Sequence, residues 1–168
     1  SGGGIANRYS GSVQIYNNTI NSNTSLSYYS GAAIYWQSNL NVDDHYNILA
    51  HNTITNNTID DNAQTGGIHI ARGYLSIHGN TIEQNSGYQL YNNNRNGYPD
   101  LDARSNWWGS SDEEQIKIAI FDWLDHTQQA IVDYRPFLTQ PAAPATLTVT
   151  PDSLSFTSES YLAPPEQT

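Results

Sequence analysis

The sequence contains no cysteine and no methionine, and it sets only 6 lysines and arginines against 16 aspartates and glutamates. Without cysteine there can be no disulfides, so whatever core this chain builds must hold by packing and hydrogen bonding alone. A formal charge of −10 repels a phosphate backbone, and nucleic acid is not an expected partner. No apolar run approaches the ~18 residues of a membrane-crossing helix, so no membrane span is expected. With no methionine anywhere, Ser1 is expected to be a processed or trimmed start rather than a point of translation initiation.

What the chain does contain is repetition. Asn18-Thr19-Ile20-Asn21-Ser22-Asn23 returns as Asn57-Thr58-Ile59-Asp60-Asp61-Asn62 and again as Asn80-Thr81-Ile82-Glu83-Gln84-Asn85. A second element, Gly3-Gly4-Ile5, Ala32-Ala33-Ile34 and Gly66-Gly67-Ile68, precedes each copy in the same order. Recurrence in fixed order marks a repeat architecture. Short runs such as Val13-Gln14-Ile15 and Leu75-Ser76-Ile77 alternate with the period of a strand, and Asn and Gly between them suit the left-handed corners of a sharply turning chain. A strand–corner–strand unit cannot bury its own apolar face and must stack on copies of itself, about 4.8 Å apart. On this reading Ile20, Ile59 and Ile82 line the interior. Asn18, Asn57 and Asn80 form one corner ladder, and Asn23, Asn62 and Asn85 another.

These repeats resemble the right-handed parallel β-helix of pectate-lyase-like proteins and their non-catalytic secreted relatives, over roughly residues 1–109. The segment Asn106-Trp107-Trp108-Gly109 is similar to the closing coil of many secreted β-helices, and the likeness implies that both tryptophans seal the lower end of the core. The expected fold is all-β: a short right-handed parallel β-helix of three to four coils, a C-terminal cap and an extended β tail. The cap is expected over residues 110–138. It begins with a helix near residues 112–125 whose first turn is acidic and whose Ile116, Ile120, Trp123 and Leu124 recur at helical spacing. A strand at Ile131-Val132-Asp133-Tyr134 follows. Residues 139–145 read as a Pro/Ala linker. Residues 146–168 alternate like the opening strands of an immunoglobulin-like sandwich and are too few to form one.

Candidate chemistry is sparse. The second coil is longer than its neighbours, and its excess places Tyr35 and Trp36 near Asp43, Asp44 and His45. That set reads either as a sugar platform beside a cation site or as a surface bulge packed on the coil, the second being the plainer explanation. Asp60 and Glu83 fall at the same repeat position, a candidate calcium site of stacked carboxylates or simply two solvated side chains. No other cofactor is implied, the basic residues form no evident substrate clamp, and a stack of three or four coils offers a short groove. The expectation is therefore a non-enzymatic, extracellular structural module, a composition rich in Asn, Ser, Thr and Tyr being in keeping with that location. Its expected mode is self-association into a homopolymer, with the edge at Gly3, Gly4 and Ile5 accepting strands built on Leu147, Val149, Leu154 and Phe156 of the next copy. The alternative is a carbohydrate-binding or polysaccharide-cleaving fragment of a larger surface enzyme.

Overall fold

A computed structural model describes residues 3–8, 12–26, 31–38, 47–59 and 67–143. They form a parallel β solenoid of about four turns with one short helix near its lower end. The first coil carries β1 (Ile5–Arg8), β2 (Gln14–Tyr16), β3 (Thr19–Asn21) and β4 (Thr24–Ser25). The second carries β5 (Ile34–Gln37), β6 (Ile48–Ala50), β7 (Thr53–Thr55) and β8 (Thr58–Ile59). The third carries β9 (Ile68–Arg72), β10 (Ser76–His78) and β11 (Thr81–Glu83), and the fourth β12 (Leu90–Asn92) and β13 (Leu101–Asp102). Below these come α1 (Glu113–Ala119), β14 (Ile120–Phe121) and β15 (Val132–Asp133).

Equivalent strands pair in parallel, giving sheets ordered β1-β5-β9-β12-β14, β2-β6-β10, β3-β7-β11, β4-β8 and β13-β15. The strands are short because a left-handed residue interrupts the chain at each corner. Asn17, His51, Gly79 and Ser105 share φ of 56°, 57°, 65° and 58°. Ser22, Asn56 and Gln84 do the same at the next corner, with φ of 55°, 55° and 57°. Each of these seven residues stands directly before a corner asparagine, so the backbone turns and the amide is aimed along the stack in one two-residue step.

The register corrects the phase expected for the middle repeat. Ile20 pairs with Ile54, and Ile54 with Ile82, whereas Ile59 pairs with Ser25. The ladder that begins at Asn18 continues through Asn52 and Asn80 to Asn106. Asn57 belongs instead to the ladder Asn23–Asn57–Asn85, and Asn62 lies outside the described residues. The reason is local degeneracy. Asn52-Thr53-Ile54-Thr55-Asn56-Asn57-Thr58-Ile59 contains the motif in two overlapping phases, and burial chooses the one that puts the fully buried Ile54, rather than the half-buried Ile59, in line with Ile20 and Ile82.

The interior is filled by Ile15, Leu49 and Ile77 on one wall, Ile20, Ile54 and Ile82 on the next, and Ile34, Ile68, Leu90 and Ile120 on the third, with Trp36 and Ile70 beside them. Leu101, Ala103, Trp108, Ile116, Val132 and Tyr134 close the lower end. Each fully buried isoleucine contributes roughly 1.5–3 kcal/mol by removal from water. Trp107 is not part of this seal: it is half-buried, and its indole N–H donates to Glu83 Oε2 at 2.8 Å. Alternation in an extended segment sends neighbouring side chains to opposite faces, so only one of the pair can point inward.

The helix is also shorter than its apolar spacing suggested. Asp112 caps α1 by accepting from the Glu114 N–H, but the helix stops at Ala119, and Ile120 and Phe121 join the first sheet below β12. Burying Ile120 in that sheet wins over continuing the helix, and Trp123 and Leu124 are left exposed at 38% and 66%. The expected strand at residues 131–134 is present as β15, paired with β13. Among the described residues no helix is long and apolar enough to cross a membrane.

Candidate functional site

The proposed sugar platform does not form. Trp36 is an inward-facing core residue with 0% exposure, and Tyr35, although outward, is only 8% exposed. Its ring meets the edge of His69 at 5.4 Å, its hydroxyl donates to Gln37 Oε1 at 2.9 Å, and the Arg8 guanidinium lies 5.3 Å from its centroid. A flat ring on a packed wall has no free face to offer. Asp43, Asp44 and His45 lie outside the described residues.

In its place the outer face of the first sheet carries a row that the sequence reading missed: Tyr35, His69, Tyr91 and Phe121, each the residue after the inward apolar anchor of its strand. The clue was present in that position's recurring aromatic character. His69 sits edge-on between Tyr35 and Tyr91, at 5.4 and 5.2 Å. Tyr91 stacks on Phe121 at 4.4 Å and 4°, and Tyr88 tilts against both. His69 is 3% exposed, and neither ring nitrogen has a hydrogen-bond partner. Burial pushes its pKa down to about 4, so it is a neutral imidazole at pH 7. With no carboxylate or hydroxyl on either nitrogen it lacks the orienting partner of a general base.

The repeat position of Glu83 is held in the neighbouring coil by Thr55. Glu83 lies beneath Thr55, which itself lies beneath Asn21, so its neighbour in the ladder is a hydroxyl, and Asp60 lies outside the described residues. The Glu83 carboxylate is engaged by Trp107. Among the described residues no three histidines, aspartates and glutamates gather as a metal site would require. Two further acids serve the scaffold. Arg104 grips Asp102 through two contacts of 2.9 Å and holds its pKa below the ordinary value. Asp122 accepts from the Leu124 and Val132 N–H groups inside the lower loop, while burial pushes its pKa up.

Basic residues do converge in one place. A recess of about 350 Å³ is lined by Ala71, Arg72, Asn93, Asn94, Arg95 and Tyr98. An adjoining one of about 690 Å³ shares Asn93 and Arg95 and continues along Asn96, Thr127, Gln128 and Gln129. Among the described residues neither lining contains a carboxylate. Asn94 fixes the floor by exchanging two 2.9 Å bonds with Gly73, and the Arg72 Nε is buried without a partner.

The remaining candidate is the upper edge. Main-chain bonds tie Gly3 to Gly31 at 3.1 Å, and Gly4 and Ile5 to Ala33 at 3.2 and 2.9 Å, all directed downward. A side chain at Gly3 would meet the Ala32 carbonyl oxygen at 2.3 Å, which is why glycine stands at this close approach. β1, β2, β3 and β4 are each last in their sheets, so among the described residues none of these four strands has a partner strand above it. Leu147, Val149, Leu154 and Phe156, the expected strand donors, lie outside the described residues. The lower end is different. The second ladder stops on Gln89, whose Oε1 accepts from Asn85 at 2.8 Å, and the Asn106 carbonyl is taken by the Leu138 N–H at 2.9 Å.

The family described as right handed beta helix region matches residues 1–106 of the chain. No curated protein and no solved structure matches it.

Proposed function

The chain belongs to the right-handed β-helix family, and from that premise we propose that it is a non-enzymatic extracellular structural module, a subunit of a surface filament or appendage that assembles through its first coil. The observation that carries this reading is the asymmetry of the two ends: at the top, four strands with no partner above them among the described residues, and at the bottom a core sealed by Trp108, Ile116, Val132 and Tyr134. Natural β proteins normally blunt such edges, and an edge left open is a template for strand addition. Residues 146–168 of a neighbouring copy, whose sequence alternates with the period of a strand, are one donor with suitable patterning. Repeated head to tail, that contact does not close on itself and yields a fibre.

Electron microscopy and light scattering of the full chain at rising concentration test this directly. Continuous arrays are expected, and they should disappear when residues 144–168 are removed or when Thr19→Pro replaces an edge N–H. Thr53, the residue paired with Thr19, sends its N–H upward to the Asn18 carbonyl at 2.9 Å, and Thr19 occupies the same place one coil higher. Isolated monomers at every concentration contradict the reading.

A second reading, a carbohydrate-binding or polysaccharide-cleaving fragment of a larger surface enzyme, is favoured by the recess where Arg72 and Arg95 meet with no carboxylate among the described lining residues. Calorimetry with acidic oligosaccharides should then show binding that Arg72→Ala abolishes, together with product release if the fragment cleaves.

A further inference from the structure

Each corner ladder has a direction. The Asn18 N–H and Nδ2 both reach Asn52 Oδ1, at 2.8 and 3.2 Å. Asn52 does the same to Asn80 at 2.8 and 3.0 Å, and Asn80 to Asn106 at 2.9 and 2.9 Å. At the other corner Asn23 reaches Asn57 at 3.1 and 2.9 Å, and Asn57 reaches Asn85 at 3.0 and 2.8 Å. The main chain answers in the opposite sense: Thr53 and Thr58 donate up to the Asn18 and Asn23 carbonyls, and Thr81 and Ser86 to those of Asn52 and Asn57. Every corner therefore shows a carboxamide oxygen and a main-chain N–H upward, and two N–H donors and a carbonyl downward.

At the upper edge this leaves a defined set of groups. Asn18 Oδ1, Asn23 Oδ1 and the N–H groups of Thr19 and Thr24 face up and have no partner among the described residues. We infer that this edge is built to receive one further parallel β-helical coil that carries asparagines five residues apart at its two corners. Such a coil supplies, at each corner, the main-chain N–H and the Nδ2 that the carboxamide oxygen accepts, and the carbonyl that Thr19 or Thr24 needs. The inference rests on the proposed function only in treating the upper edge as a contact surface, and it names what fits there.

Other occupants fit less well. In a second copy the lower ends of the ladders are already engaged: Gln89 Oε1 takes the Asn85 N–H and Nδ2 at 3.4 and 2.8 Å, and the Asn106 carbonyl is taken by the Leu138 N–H at 2.9 Å. An inverted copy would set oxygen against oxygen and N–H against N–H. Residues 144–168 contain no asparagine, so they cannot extend either ladder.

The test adds the coil. Ile5, Ile34 and Ile68 are in register, so a copy of residues 34–67 placed between Gly4 and Ile5 of the full chain extends the stack in phase. The Thr19 and Thr24 amides should then gain at least about tenfold protection from hydrogen exchange. That gain should be lost when the copied Asn52 and Asn57 are both changed to Ala. A shorter insertion copying residues 68–89, with Asn80 and Asn85 at its corners, provides a second sequence in the same place and should protect the same two amides. Failure of both insertions to protect these amides overturns the inference, as does equal protection with alanine corners. If the Thr19 and Thr24 amides are already protected in the unmodified chain and lose protection when residues 144–168 are removed, the tail fills the edge. The inference is then overturned while the proposed assembly stands.

Discussion

At the scale of single residues, the corner asparagines differ in worth according to depth. Asn80 Nδ2 reaches the Leu49 and His78 carbonyls and Asn106 Oδ1, and its own oxygen takes two donors from Asn52, all in a site with 0% exposure. Asn80→Ala should therefore cost about 3 kcal/mol in urea unfolding, because several buried groups lose their partner at once. Asn18→Ala, at the exposed end of the same ladder, should cost under about 1 kcal/mol; equal losses would contradict the ladder. His69 sets a pH dependence. Its ordinary pKa of 6.5 falls to about 4 in the folded protein. The unfolded chain thus takes up a proton near pH 6.5 that the folded chain refuses until about pH 4. Stability from this group is complete above the higher value and is lost as pH falls through that window, by about 3 kcal/mol. His69→Phe, which also removes two unpartnered ring nitrogens, should flatten that part of the stability–pH curve. A wild-type and variant difference that stays constant from pH 7 to 4 would rule the assignment out.

At the scale of elements, Trp107 and Trp108 separate two roles that look alike in the sequence. Trp108→Ala should cost about 3–5 kcal/mol by opening the sealed lower core. Trp107→Phe removes only a half-buried bond to Glu83 and should cost about 1 kcal/mol; denaturant midpoints decide between a shared seal and this division. Much of the solenoid was legible beforehand. Strands, corners and stacking followed from Asn-Thr-Ile-x-x-Asn and from the Gly-Gly-Ile and Ala-Ala-Ile elements, whose isoleucines are in register as expected. The middle phase was not legible, because Asn52 and Asn57 each begin a valid copy three residues after an apolar residue, Leu49 or Ile54. Only the paired neighbours of those strands break the tie. The helix was overread because Ile116 and Ile120 are four apart, which suits a helix, while Ile120 also suits the strand position below Leu90. The outer row around His69 was hidden because outward-facing strand positions are ordinarily solvated, and nothing in the alternation says that this one is covered.

At the scale of the whole molecule, the stack is close to one-dimensional, each coil resting on its neighbours, and opening should begin at the top, where no described residue packs above the first coil. Native-state hydrogen exchange should give the Thr53 N–H, which bonds to the first coil, a smaller opening free energy than the Thr81 N–H one coil further in. A reversed order would mean that the lower cap, and not the upper edge, is the weak end. The spacing of the first ladder has a different consequence. Successive asparagines are 34, 28 and 26 residues apart, yet they meet with the same bonds. Pitch is thus held at the corners while girth is left free, the longest interval being the one from Asn18 to Asn52. New peptide spliced between two corners alters what the column displays to its surroundings without disturbing how the column stands.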